Sequence, residues 1–255
     1  MQERSERTRR RLVFAGAELF HRSGYANATL GEIAGAAGVT KGALYFHFAS
    51  KDELADAVQR RGCGLLHDAV RVLREGGASP LQALIDTTHW LARTLHEDPA
   101  IPASFRITKE CAGQQPAAVD FHGAWLSAVC ELLRTARDVG ELPLDRPVGS
   151  VPGDGDAGAG DRDEARGDAG SAADRWESAE ALVAAAVCGI EVLAGTGLSY
   201  AELQRKVAAL WGLLLPSLVG AARVREYRTQ APSGGAAAGS GAGEERRYEF
   251  LGSGV

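Results

Sequence analysis

The sequence predicts an all-α protein, and three observations carry that expectation. Alanine is abundant and aromatic residues make up only 6% of the chain, a composition that leans towards helix. Apolar residues recur at i, i+3, i+4 and i+7 through several windows, the period of a helix with one buried face. Ser/Thr-x-x-Glu signatures stand at Thr29–Glu32, Ser50–Glu53 and Ser199–Glu202, where a hydroxyl and a carboxylate can satisfy first-turn N–H groups. No stretch of useful length alternates as a strand would, and no internal repeat is present. At 255 residues and 45% apolar, the chain can bury one large core or two modest ones.

The elements follow in order. Residues 1–6 read as a flexible polar arm. A first helix from Arg7 to Ser23 carries Leu12, Ala15, Leu19 and Phe20 on one face, with Gly24 as its C-cap. Thr29 opens a short helix bearing Leu30, Ile33, Ala34 and Ala37, which Gly38-Val39 breaks. Thr40 caps a second short helix to about Phe46. Ser50 starts a longer one to about Arg74, with Leu54, Val58, Leu65 and Leu66. After the Gly76–Pro80 loop comes a clean stripe of Leu81, Leu84, Ile85, Thr88, Leu91, Ala92 and Leu95, which Pro99 and Pro102 interrupt. Helices are expected at 104–112, 116–138, 176–195 (capped at Asp174) and from Ser199 to about 218, where Pro216 should kink the last. Residues 143–174 lose large apolar side chains in favour of Gly, Asp, Pro, Ala and Arg, and read as a disordered acidic linker. The plan is therefore an arm (1–6), a first helical unit or head (7–52), a second helical unit (53–222) and a flexible tail (223–255).

Charge narrows the function. The formal net charge is −5, yet residues 1–51 carry a net +4 and residues 145–175 a net −4. A polarised chain of this kind fits a local phosphate-binding patch better than a wholly basic coat. The four cysteines, Cys63, Cys111, Cys130 and Cys188, form no C-x-x-C pair and meet no histidine at metal spacing; they read as reduced thiols. No cofactor or metal is expected. No apolar run reaches the roughly 18–20 residues a bilayer span needs, and the N-terminus lacks a signal-peptide core, so the expected setting is cytoplasmic, with no membrane partner. Gly153 to Gly158 matches G-x-G-x-x-G literally, but it follows no strand and opens no helix. The Asp-rich run 154–168 fails calcium-loop spacing, since Ala172 stands where Glu is required. No nucleophile is paired with a base, which argues against an enzyme built on His89, His122 or Cys130.

The informative segment is TLGEIAGAAGVTKGALYFHF, residues 29–48. Two short helices joined by a tight turn containing Gly form the helix-turn-helix pattern. Ala34 is small where the helices must cross, Gly38 supplies a positive-φ turn, and Ile33, Val39 and Leu44 point inward. The second helix then presents its N-terminal residues to base edges while its flanks grip phosphates. The candidate DNA contacts are Thr29, Thr40, Lys41, Gly42, Ala43, Tyr45, His47 and Lys51. Lys41 can donate to guanine O6/N7 or to a phosphate. Gly42 and Ala43 permit close approach, and Tyr45 and His47 are phosphate donors. Lys51 and the helix starts at Thr29 and Ser50 are further anion sites.

Residues 7–60, and above all the run KGALYFHFASKDELADAV from Lys41 to Val58, resemble the DNA-binding domain of TetR-family repressors. That resemblance implies three N-terminal helices for DNA, a fourth as connector, and a helical C-terminal domain that binds ligand and dimerises through its last two helices. Within that family the chain looks like the γ-butyrolactone receptors of actinomycetes, on KGALYFHFASKDELA, on LHEDPAIPASFRITKE (Leu95–Glu110) and on Trp125 in FHGAWLSAVCELL. The long acidic linker and the Gly-rich tail depart from that pattern. The resemblance implies a homodimeric repressor that binds a palindromic operator in double-stranded DNA. A γ-butyrolactone-type, butenolide or furan autoregulator would release it from antibiotic or secondary-metabolite genes. The alternative is a pseudo-receptor or multidrug-sensing regulator that binds antibiotics. Trp125 falls where the subfamily's pocket tryptophan does. Thr88, Trp90, Phe105, Val129 and Cys188 complete the candidate ligand set.

Overall fold

The computed structural model describes residues 2–111, 119–142 and 172–232, with the side chains of 172–175 excepted. Among these residues every regular element is helical: α1 (Gln2–Ser23), α2 (Leu30–Ala36), α3 (Lys41–His47), α4 (Lys51–Glu75), α5 (Pro80–Glu97), α6 (Ala100–Glu110), α7 (Phe121–Asp138), α8 (Ala172–Ala194) and α9 (Tyr200–Val219), then a 3-10 turn at Val224–Glu226.

The helix limits follow local chemistry. Thr29 and Glu32 form a reciprocal capping box at α2, and Ser199 and Glu202 form another at α9. At α4 the reciprocity is displaced by one residue: Ser50 Oγ accepts from Glu53 N, but the Glu53 carboxylate reaches back to Ala49 N. Gly24 and Gly38 hold φ of 89° and 61°, which is why those turns need glycine. Arg11 donates to the Ala37 carbonyl at 2.5 Å and so closes the C-terminus of α2.

Several limits differ from the sequence reading. The polar arm is the first turn of α1, which begins at Gln2. Pro102 does not break a helix: it sits in the first turn of α6, where no intrahelical N–H bond is lost. Asp120 caps α7 through His122 N and Gly123 N, so the helix starts at Phe121 and leaves Val119 outside. Residues 172–175 already belong to α8, so Asp174 lies within that helix. The expectations for residues 143–171, the linker and its Gly- and Asp-rich motifs included, lie outside the described residues, as do those for 112–118 and 233–255.

Two cores result. The head core gathers Leu12, Phe20, Ile33, Ala34, Leu44, Phe48, Leu54 and Val58 from α1–α4, with Ala103 and Ile107 of α6 packed in. The body core gathers α5 and α7–α9 around Leu84, Phe105, Phe121, Trp125, Val187 and Trp211. Helix α4 serves both, and α6 inserts one face into each. The tail departs from expectation. Residues 228–229 fold back on α5: Arg228 pairs with Asp86 through two 2.9 Å contacts, the Gln82 amide exchanges hydrogen bonds with the Arg228 backbone, and the Thr229 carbonyl meets His89 Nε2. Asp86 is only 5% exposed and also accepts from the Gln82 amide, so the arginine supplies the countercharge to a buried carboxylate.

Candidate nucleic-acid interface and ligand core

Helix α3 lies on the outside of the head. Leu44 is fully buried and anchors it, while Tyr45 and Phe46 are 57% and 81% exposed. Thr40 caps it by accepting from Ala43 N at 3.2 Å. Lys41, Gly42 and Tyr45 are exposed, and Ala43 and His47 are half-buried. The Lys41 amine lies across the first turn of α2: a Cβ on Gly31 would stand 3.0 Å from Lys41 Cε and 3.3 Å from its Nζ. A side chain at position 31 would therefore displace the lysine. An open cleft of about 430 Å³ runs beside it, lined by Thr29, Gly31, Lys41, Tyr45 and Lys51 among others.

Two of the sequence candidates are occupied within the protein. Lys51 Nζ donates to the carbonyls of Tyr25, Ala26 and Ala28 at 2.8–3.2 Å and stacks over the Tyr25 ring at 4.5 Å. It holds the α1–α2 turn rather than standing free for phosphate. Asp52 takes the Tyr25 hydroxyl, and burial together with that contact pushes the Tyr25 phenol well up. The Thr29 hydroxyl donates to Glu32 at 2.7 Å and accepts from Glu32 N, so its side chain is committed to the cap. These bonds from Thr29 hold the Glu32 carboxyl below its ordinary value.

In the body, Phe105, Trp125 and Val129 are buried in one cluster, with Trp90 and Cys188 half-buried at its edge. Thr88 Oγ1 is fully buried, donates to Ile85 O and accepts from Trp211 Nε1 at 2.8 Å; its polar capacity is spent on holding α5 to α9. Trp125 Nε1 is buried, and the polar side chain it meets is the Cys188 thiol. The Cys188 thiol beside it is pushed up chiefly by burial, so it stays protonated and a weak acceptor. Sequence reasoning missed two buried polar side chains, Gln59 on α4 and Ser104 on α6, with 1% and 0% exposure. Gln59 was detectable as a polar residue on the buried stripe that runs Leu54, Ala55, Val58, Gly62, Leu66.

A contact between α6 and the head was also missed. Arg106 Nη1 donates to the His21 carbonyl at 2.7 Å, and its Nε pairs with Glu110 at 2.7 Å. The Glu110 carboxylate in turn accepts from Ala26 N at 3.0 Å. One turn of α6 thus grips the C-terminus of α1 and the turn after it, while Phe105 on the same helix enters the body core.

Residues 12–58 match the family model of bacterial regulatory proteins of the tetR family. The chain is 29% identical to the A-factor receptor protein of Streptomyces griseus over 221 residues, 85% of this chain and 66% of that protein. The match thus spans just under two thirds of that relative's length. A crystal structure of a gamma-butyrolactone receptor, an ArpA-like protein, superposes with a TM-score of 0.65 at 27% identity, covering 88% of this chain and 94% of the other. CprB, a TetR-family protein of Streptomyces coelicolor solved in complex with its operator sequence, superposes with a TM-score of 0.63 at 27% identity over the same shares. The fold is TetR-like, and the proteins it resembles are regulators and receptors rather than enzymes. No helix among the described residues is long and apolar enough to cross a membrane.

Proposed function

We propose that this chain is a ligand-responsive transcriptional repressor that binds a palindromic operator as a homodimer and is released by a γ-butyrolactone-type molecule. The observation that carries the reading is α3. A seven-residue helix is anchored by Leu44, capped by Thr40, and turns Lys41, Gly42, Tyr45 and Phe46 outward on a head with net positive charge. An isolated globular protein gains nothing by exposing two large aromatics there. A duplex groove supplies the missing partner. The similarity to an operator-bound relative and to lactone receptors supports the DNA and ligand assignments.

The dimer is assigned to α8 and α9. Val183, Val187 and Ile190 of α8 face the core, while Leu182, Val192 and Leu193 face outward, and Leu213 of α9 is 78% exposed. A helix apolar on opposite sides needs a second partner. Two heads held in this way must sit about 34–36 Å apart to enter successive major grooves. A ligand that favours another spacing shifts the population away from the operator-bound form, and a coupling of about 1–3 kcal/mol suffices for marked release. The Arg106–Glu110 grip gives α6 the position to carry that coupling, because α6 touches both cores.

The test is a gel shift on palindromic duplexes from the gene's own upstream region, titrated with salt and with an acyl lactone. Lys41→Ala is expected to weaken operator binding about tenfold and, if Lys41 meets phosphate, to reduce the salt slope by about 1. Lys51→Ala is expected to lower the melting temperature of the head and leave that slope unchanged. Binding indifferent to salt and to duplex sequence would refute the assignment to DNA, and operator affinity indifferent to lactones would refute the ligand class.

A further inference from the structure

Gln82, Asp86 and His89 stand at i, i+4 and i+7 on one face of α5, and together they hold the strap that follows α9. The grip takes backbone and side chain alike. Gln82 Oε1 accepts from Arg228 N at 2.8 Å, and Gln82 Nε2 donates to Arg228 O at 3.1 Å. Asp86 takes the Arg228 guanidinium, and His89 Nε2 stands 2.8 Å from the Thr229 carbonyl oxygen. Three side chains of one helix thus engage every polar group that Arg228 offers, and the carbonyl of the residue after it.

The His89 ring, in a residue only 2% exposed, meets an oxygen at each nitrogen. Nε2 faces Thr229 O, a carbonyl that only accepts. Nδ1 faces Gln204 Oε1 on α9. The orientation of that amide is fixed from its other end, because Gln204 Nε2 donates to the His89 carbonyl at 3.0 Å. Turning the amide over would set its oxygen against that carbonyl. Both ring nitrogens therefore need a hydrogen, and only the imidazolium form carries two. A neutral ring would hold a bare lone pair against one of the two oxygens, in a buried place where an unmade bond is costly. His96, two turns further along α5, gives the contrast. Its nitrogens also meet two carbonyls, Ala92 O and Leu198 O, each at 3.1 Å, but the residue is exposed, so solvent can serve a nitrogen left without its proton.

The charges around the ring are already balanced. On α5, Asp86 lies one turn before His89 and is paired with Arg228 of the strap, while Arg93 lies one turn after and is paired with Glu97. On α9, Gln204 is the group bonded to the ring, and its neighbours Arg205 and Lys206 are exposed. From α4, α7 and α8, which also pack on α5, Arg61 is engaged by Asp98, Arg137 by the Trp176 ring, and Glu180 and Glu191 by Arg134 and Lys109. We infer that Gln82, Asp86 and His89 form a site for a basic peptide segment, filled here by Arg228–Thr229 of the same chain, and that a proton on His89 fastens this strap to α5 and α9 together. The strap is held at acid pH and slackens as pH rises through the range, about 5 to 8, in which histidine ordinarily changes charge. The inference goes beyond the ligand-responsive reading and does not depend on it.

The experiment uses the full chain and two readouts. Nitrogen-15 resonances of the histidine rings are followed from about pH 6 to about pH 8, with His89 assigned by its loss in His89→Gln. Both His89 nitrogens are expected in the protonated range at the acid end. Brief trypsin treatment then reads cleavage after Arg228 by mass. A free peptide of residues 224–232, VREYRTQAP, is added to each sample so that the protease's own pH dependence cancels. Cleavage of the chain relative to the peptide is expected to rise about tenfold over that pH range, as one buried bond is lost. The rise should vanish in His89→Gln and persist in His96→Gln, and Asp86→Asn should raise relative cleavage at both ends of the range. A His89 ring with one bare nitrogen at the acid end, or level relative cleavage in the wild type, overturns the inference, and neither result needs a variant to fold. A rise that survives in His89→Gln overturns it by assigning the effect to another group. An equal rise after Arg22 in the head overturns it by showing that the whole chain loosens.

Discussion

The head and the body are built from the same kind of helix but settle their polar groups differently. In the head the N-caps are local, although Arg11 and Lys51 hold its turns from 23–26 residues away. Thr29 bonds Glu32, Thr40 bonds Ala43 and Ser50 bonds Glu53, each three residues apart. In the body the decisive bonds span the chain: Gln59 to Phe121, Thr88 to Trp211, Asp86 to Arg228. The buried side-chain atoms without partners lie between positions 59 and 104, and none falls in residues 2–58. A head whose described residues 2–58 leave no buried side-chain polar atom unpartnered fits the rigid groove reader proposed above. Each unmet buried group costs about 1–3 kcal/mol, so the body carries a strain that the head does not.

The comparison can be broken from either side. The largest effect is expected from Ile33→Ala, which empties a fully buried site between α2 and its neighbours. It should destabilise the head by about 3 kcal/mol and abolish operator binding. Lactone binding measured by calorimetry should survive, because Ile33 belongs to the head core alone. Loss of both activities together would show that the two cores fold as one unit. Arg228→Ala is the counterpart in the body. It strips the pair from buried Asp86, although the arginine side chain is itself 46% exposed, so solvent offsets part of the loss. A cost of about 1–2 kcal/mol and a fall in melting temperature of roughly 3–6 °C are expected, with lactone binding weakened more than operator binding. An unchanged melting temperature would mean that the tail contributes nothing.

The smallest effect concerns pH. Glu32 is held below its ordinary value of about 4.5 by its bonds from Thr29. A carboxyl with a depressed folded value stabilises fully above its unfolded value, and that contribution disappears as pH falls through the folded one. Circular dichroism of Glu32→Gln against wild type should show a stability difference at pH 7 that closes as pH falls below the ordinary carboxyl value and through the lowered one. A difference that persists to low pH would assign the effect to shape rather than charge.

Legibility followed the same division. The capping box at Thr29, the glycine turn at Gly38, the cap at Thr40 and the inward Ile33 and Leu44 were readable from spacing, because each depends on residues a few positions away. Lys51 was misread as a phosphate site for the opposite reason: the three carbonyls that hold it lie 23–26 residues earlier. Trp125 was singled out through resemblance; the structure buries it in the body core, and its contact with the Cys188 thiol had no local signal. The tail was read as flexible from Gly and Ala content beyond it, while Arg223 bonds the Glu141 carbonyl after α7, and Arg228 and Thr229 dock on α5.

By itself the sequence determined the helical class, the start of most helices, the turn between α2 and α3 and the outward face of α3. Each of these is dictated by periodicity, by a hydroxyl or carboxylate within one turn, or by a glycine that tolerates positive φ. Only the tertiary structure decided which polar groups are spent and on what: Lys51 on the α1–α2 turn, Thr88 on Trp211, Arg228 on Asp86 and Trp125 on Cys188, with Gln59 Nε2 and Ser104 Oγ left unpartnered. Whether a buried polar atom is satisfied depends on partners brought from distant positions by packing, and local patterns carry no record of them.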